Sequence, residues 1–139
     1  MQPLYTATAT AIGGRQGRVR SDDGVLDTPL AHPKELGGPG GHATNPEQLF
    51  AAGYAACFEN ALLRVARERK VPLRDSSVTA HVGIGRDTDG YFRLSVALEV
   101  SAFGRDRAEI EEFARIAHEE ICPYSRATRG NIDVKVTVV

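Results

Sequence analysis

From Asn45 to Lys70 the chain reads as one long helix, and everything else has to be arranged around it. Asn45 can cap its start, Pro46 suits the first helical position, and Gln48 stands at capping-box spacing from Asn45. Val71-Pro72 is expected to end it near Lys70. The first half, including Leu49-Phe50-Ala51-Ala52-Gly53-Tyr54-Ala55-Ala56-Cys57-Phe58, is almost all apolar or small, which predicts burial on several sides. The last turns, Arg64 to Lys70, are basic and suit a helix C-terminus.

Strand patterns flank this helix. Tyr5 to Ile12 alternates Thr with apolar residues and predicts a strand. Gly13-Gly14-Arg15-Gln16-Gly17 breaks it, and so many glycines mark a mobile turn. Arg18–Ser21 and Val25–Thr28 flank Asp22-Asp23-Gly24, a hairpin signal. A long loop, Pro33–Thr44, then holds Gly37-Gly38-Pro39-Gly40-Gly41. Beyond the helix, Ser77–Gly85 and Tyr91–Ala102 read as strands joined at Asp87-Thr88-Asp89-Gly90. Asp106–Ile121 carries apolar residues at helical spacing, with Pro123 as its stop, and Ile132–Val139 closes the chain as a strand. The order βββ-α-ββ-α-β gives an α+β fold. Without repeats or linkers, residues 1–139 are expected to form a single domain, a length that can hide roughly two-thirds of the unfolded surface.

Lys and Arg number 17 against 18 Asp and Glu, so no basic excess points to nucleic acid. The start, Met1-Gln2-Pro3-Leu4-Tyr5, lacks a charged segment followed by an apolar run. The weakly polar stretch Ala51–Ala56 is too short to span a bilayer. The expected location is cytoplasmic, with no membrane partner.

Chemistry centres on two cysteines, Cys57 and Cys122, 65 positions apart. A reducing compartment disfavours a lasting structural disulfide, which leaves two inert apolar thiols or a redox pair. Cys57 lies inside the apolar helix, where a thiol is normally unreactive unless a cation approaches. The helix offers no cation nearer than Arg64 downstream, so the candidate is Arg15 in its glycine-rich turn; Arg18 and Arg20 read as solvated strand residues. Cys122 ends the second helix, a place from which a thiol can approach a partner. A His118–Glu119–Cys122 metal set, with Cys57 as a fourth ligand, lacks a second close ligand pair, and no metal is expected. The glycine run Gly37–Gly41 lacks the Lys and Ser/Thr of a phosphate loop.

The runs Gly37–Gly41, Thr44–Phe58 and Cys122–Val134, with the opening strand and Gly13–Gly17, resemble the organic hydroperoxide resistance proteins of the OsmC/Ohr superfamily over the whole chain. The resemblance implies an OsmC-like intertwined homodimer with a buried central helix and sites at the interface. It implies a thiol-dependent peroxidase acting on organic and fatty-acid hydroperoxides. By motif match, Cys57 is the peroxidatic cysteine, Cys122 the resolving one, Arg15 the site arginine and Glu47 the site glutamate. No bound cofactor is implied; the reductant is an external dithiol, of the lipoyl type carried on a protein.

Elementary chemistry accords with those roles. A guanidinium can lower a thiol pKa and stabilise a departing alkoxide, and a carboxylate can hold it through a bidentate pair. Phe50 and Tyr124 are candidates to line a pocket for an alkyl tail, with plain core packing the alternative. Glu47 and Cys57 are ten positions apart, roughly 15 Å along a helix, so the Glu47 serving one Cys57 is expected from the partner chain unless the helix kinks near Gly53. Two rival readings stand: an OsmC-branch peroxidase with a different peroxide preference, and a non-catalytic small-ligand binding protein with two inert thiols.

Overall fold

The computed structural model describes all residues, Met1–Val139. The chain divides into two compact units, residues 1–49 and residues 50–139.

In the first unit, β1 (Ala9–Ile12), β2 (Arg18–Ser21) and β3 (Asp27–Pro29) form an antiparallel sheet in that order. The expected strand from Tyr5 is shorter, since pairing begins where Ala9 meets Ser21. The glycine-rich segment after β1, expected to be mobile, is a closed 3-10 turn over Gly14–Gln16. Its Gly17 N–H donates to Gly14 O at 3.2 Å. Gly13 adopts φ 80°, and a Cβ on Gly17 would lie 1.7 Å from Ile12 O. Glycine is therefore needed here for close approach as well as for conformation. Arg18 and Arg20 are exposed and face Asp27, Arg18 Nε donating to its Oδ1 at 2.6 Å.

Helix α1 (Pro46–Glu68) starts as its sequence directs. Asn45 Oδ1 accepts from the Gln48 N–H at 2.8 Å, while the Gln48 side chain accepts from the Thr44 hydroxyl at 2.9 Å. It ends two residues before Lys70, which takes φ 56° while Val71 N–H donates to Ala66 O and Lys70 N–H to Arg67 O. That is a Schellman end with lysine in the position glycine usually takes. Its buried residues, Tyr54, Phe58, Ala61, Leu62, Val65 and Ala66, recur at helical spacing and make one stripe. Burial on several sides is not what a single chain shows, because Ala52 and Ala56 are exposed.

In the second unit, β4 (Arg74–Arg86) and β5 (Phe92–Phe103) form a long hairpin closed at Asp87–Gly90, and β6 (Val134–Val138) pairs parallel to β5. Val96, Leu98 and Val100 point inward at every second position of β5. Helix α2 (Arg107–Ile116), capped by the Asp106 side chain, adds Ile110 and Phe113 to the same core. The predicted helix to Ile121 instead changes to a π turn, Ala117–Ile121, closed by the Cys122 N–H donating to Ala117 O at 2.8 Å. Pro123 does not end the helical region. It occupies the first turn of a new helix, α3 (Pro123–Thr128), for which Cys122 is the N-cap. No helix is long and apolar enough to cross a membrane.

Candidate active site

Each unit brings together one predicted pair. In residues 1–49, the turn carrying Arg15 meets the first turn of α1 carrying Glu47. Arg15 Nη1 donates to Glu47 Oε2 at 2.8 Å and Nη2 to Oε1 at 2.7 Å, a two-pronged pair within one chain. The Arg15 hydrogen bond holds the Glu47 carboxyl below the usual carboxylate range, against a smaller opposing effect of burial. Glu47 raises the Arg15 guanidinium in turn. The carboxylate also lies at a helix N-terminus, where negative charge is favoured.

In residues 50–139, Cys57 on α1 and Cys122 at the start of α3 bring their sulfurs to 3.8 Å, both as free thiols. Cys122 is buried and Cys57 partly so. Burial pushes the Cys57 thiol up from its ordinary value, and Cys122 adds to that push. The backbone N–H of Tyr124 pulls in the other direction by hydrogen-bonding the sulfur. This upward shift is the one expected of a thiol inside an apolar helix: within this unit, desolvation wins.

Phe50, Tyr54 and Tyr124 form an aromatic cluster, with ring centroids 5.7 to 6.4 Å apart. Phe50 and Tyr124 line a cavity of about 470 Å³ together with Leu94, Ala127 and Ile132. Tyr124 is 41% exposed and Phe50 half-buried, so neither is simple core. The ring of Tyr124 rests on Gly53, where a Cβ would lie 3.1 Å from its hydroxyl. Cys57 is not among the residues lining this cavity.

Residue patterning did not single out the polar cluster beside the thiols. Tyr54 Oη donates to Ser125 Oγ at 3.0 Å and lies 3.2 Å from Thr128 Oγ1. His118 Nδ1 lies 2.9 Å from the same serine oxygen. Tyr54, Ser125 and Thr128 are all buried. The one available signal was a tyrosine on an apolar helix face, since a buried phenol hydroxyl needs a partner. His118 thus contacts a serine, and no three His, Cys, Asp or Glu side chains converge to hold a metal ion.

Two sheets with packed helices and a close pair of free thiols make an α+β protein with a candidate redox pair. The chain matches the family described as OsmC-like protein over residues 38–137 and belongs to it. It is 53% identical to the organic hydroperoxide resistance protein of Xanthomonas axonopodis pv. citri over 97% of this chain and 94% of that one. It is 50% identical to organic hydroperoxide resistance protein OhrB of Bacillus subtilis over 96% of each. The solved structure of an organic hydroperoxide resistance protein from Legionella pneumophila superposes with a TM-score of 0.93 at 51% identity, covering 99% of this chain and 98% of that one.

Proposed function

We propose that this chain is a cysteine-based peroxidase that reduces organic and fatty-acid hydroperoxides to alcohols, in defence against oxidative stress. The observation that carries the reading is the 3.8 Å approach of two free thiols from positions 65 residues apart. Relatives at 53% and 50% identity named for organic hydroperoxide resistance support it.

The Cys57 thiolate attacks the distal oxygen of ROOH, the O–O bond breaks, and the alkoxide takes a proton to leave as ROH. Cys57 becomes a sulfenic acid. The Cys122 thiol then attacks that sulfur, giving the Cys57–Cys122 disulfide and water. An external dithiol of the lipoyl type exchanges with the disulfide, restoring both thiols and leaving as its own cyclic disulfide. No bound cofactor takes part.

A thiolate at neutral pH needs a cation, because burial acts against it at Cys57. Arg15 is assigned that role, with Glu47 fixing its fork. The same guanidinium stabilises the alkoxide as charge moves from sulfur to oxygen. The cavity beside Phe50 and Tyr124 is assigned to the alkyl tail.

The working form is a homodimer of interwoven chains in the cytoplasm. Exposed Ile12, at 76%, and exposed Ala52 and Ala56 on α1 are apolar or small surfaces that a second copy would cover.

The test is steady-state reduction of tert-butyl hydroperoxide, hydrogen peroxide and a fatty-acid hydroperoxide with dihydrolipoamide as reductant. Organic peroxides should have the higher kcat/KM, since each buried methylene contributes about 0.8 kcal/mol. Equal values for hydrogen peroxide and a long-chain hydroperoxide would favour the OsmC branch. No turnover with any peroxide would leave a binding protein.

A further inference from the structure

The buried hydroxyls stand in a regular relation to the two sulfurs. Tyr54 lies three residues before Cys57 on α1, and Ser125 lies three residues after Cys122 on α3. Residues three apart on a helix share a face. The 3.0 Å bond from Tyr54 Oη to Ser125 Oγ therefore ties the two helices one turn away from the thiol pair.

Thr128 Oγ1, one turn further along α3, lies 3.2 Å from Tyr54 Oη and 3.1 Å from the carbonyl oxygens of Tyr124 and Ser125, which compete for its single proton. His118 reaches Ser125 Oγ from the turn before α3, across the π turn that delivers Cys122. Cys122 is thus held between a π turn on one side and a hydrogen-bonded α3 on the other. No buried side-chain nitrogen or oxygen is left without a partner.

Apolar side chains of similar shape can fill such a site at little cost in stability. What they lack is direction. Hydrogen bonds favour one distance and one angle, whereas apolar contacts tolerate sliding.

We infer that Tyr54, Ser125, Thr128 and His118 form a positioning clamp that sets the approach of Cys122 to Cys57, and so decides whether the Cys57 sulfenic acid is resolved or over-oxidised. The inference rests on the peroxidase reading for its consequence, but not for its geometry. Two reactions compete for the sulfenic acid. Cys122 closes the disulfide and releases water, or a second hydroperoxide transfers an oxygen, yielding a sulfinic acid and an alcohol. The first requires the sulfurs to move from 3.8 Å to about 2.05 Å along the S–S axis. A helix free to shift by about 1 Å can slow such a step about a hundredfold.

The direct test needs no peroxide. The protein is equilibrated in glutathione buffers, where two protein thiols and one glutathione disulfide give the Cys57–Cys122 disulfide and two glutathione thiols. The ratio gives the effective concentration of one thiol at the other. A purely structural role burdens reduced and oxidised forms alike and leaves that ratio unmoved. Tyr54→Phe, Ser125→Ala and Thr128→Val should each lower it about tenfold, the effect of one directed hydrogen bond. Thr128→Ser keeps the hydroxyl and should hold the wild-type value.

With excess tert-butyl hydroperoxide, mass spectrometry should then find more Cys57 sulfinic acid in the three deleting variants than in wild type. Should Tyr54→Phe not fold, the Thr128→Val and Thr128→Ser comparison decides alone. Wild-type ratios in folded Tyr54→Phe and Thr128→Val would overturn the clamp. A shifted ratio in a protein that never consumes peroxide would keep the clamp and overturn the peroxidase reading.

Discussion

Leu30 is the one buried side chain among residues 1–49, whereas the apolar core from Tyr54 to Val138 lies wholly within residues 50–139. The first region keeps its Arg15–Glu47 ion pair in water's reach: the Arg15 side chain is 33% exposed. The second keeps its thiols in apolar surroundings, where the Cys57 thiol is pushed up. Each arrangement suits its chemistry. A guanidinium is costly to bury, so a lightly packed sheet and a glycine-rich turn can present it. A pair of sulfurs that must meet along one axis requires the fixed positions of a dense core.

The sharpest way to break this division is to exchange what each region supplies. Cys57→Ser should reduce peroxide turnover to background, and Cys122→Ser should reduce one equivalent and then accumulate sulfinic acid on Cys57. Arg15→Ala should cost about 10²–10³-fold in kcat/KM, the scale of losing a transition-state donor. Arg15→Lys should recover part of that, because an ammonium supplies charge without the fork. Stopped-flow oxidation by tert-butyl hydroperoxide measures all four. An Arg15→Ala rate equal to wild type would confine the chemistry to residues 50–139.

Stability should separate the regions the other way. Phe58 is fully buried, and Phe58→Ala should cost about 3–5 kcal/mol in urea unfolding. Gly17→Ala must displace the Arg15 turn, since its Cβ would collide with Ile12 O. We expect about a tenfold loss of kcat/KM there, the scale of a small misplacement, with the core's unfolding midpoint held. A Gly17→Ala protein with wild-type activity would sever the turn from catalysis.

Acid provides the smallest effect. Burial holds His118 below the ordinary histidine value of 6.5. The unfolded chain then takes up the proton first, so this contribution to stability is complete above 6.5 and is lost as pH falls through the lowered value. Glu47 behaves alike, lower on the scale: its contribution is complete above 4.5 and lost as pH falls through its own depressed value. Acidification should weaken residues 50–139 before it separates Arg15 from Glu47. Urea midpoints against pH for wild type, His118→Gln and Glu47→Gln test this order. His118→Gln should flatten the upper limb and Glu47→Gln the lower.

What the sequence displayed and what it hid follow from range. The Asn45 cap, the Asp87–Gly90 hairpin and the amphipathic run of α2 are local patterns, and each stands in the structure. Pro123 misled because a proline that stops one helix serves equally as the first residue of the next. The π turn over Ala117–Ile121 has no residue signature, since its 2.8 Å bond to Ala117 O depends on where the flanking helices pack. Arg15 is legible from its glycine-rich turn and Glu47 only through the motif resemblance, and the two-pronged pair expected of them forms within one chain. The hydroxyl cluster joins positions 71 and 74 residues apart, beyond any periodicity. Within the same span, Tyr124 could be nominated by neighbourhood, but its seat on Gly53 appears only in three dimensions.

In the proposed peroxidase, Cys57 and Cys122 form one redox unit. One equivalent of tert-butyl hydroperoxide per reduced chain tests it most directly, followed by titration of free thiols and intact mass. Loss of both free thiols, a mass lower by two hydrogens and one equivalent of tert-butyl alcohol are expected. Retention of both thiols with the peroxide unconsumed, or a single oxidised cysteine carrying oxygen while Cys122 stays free, would contradict it.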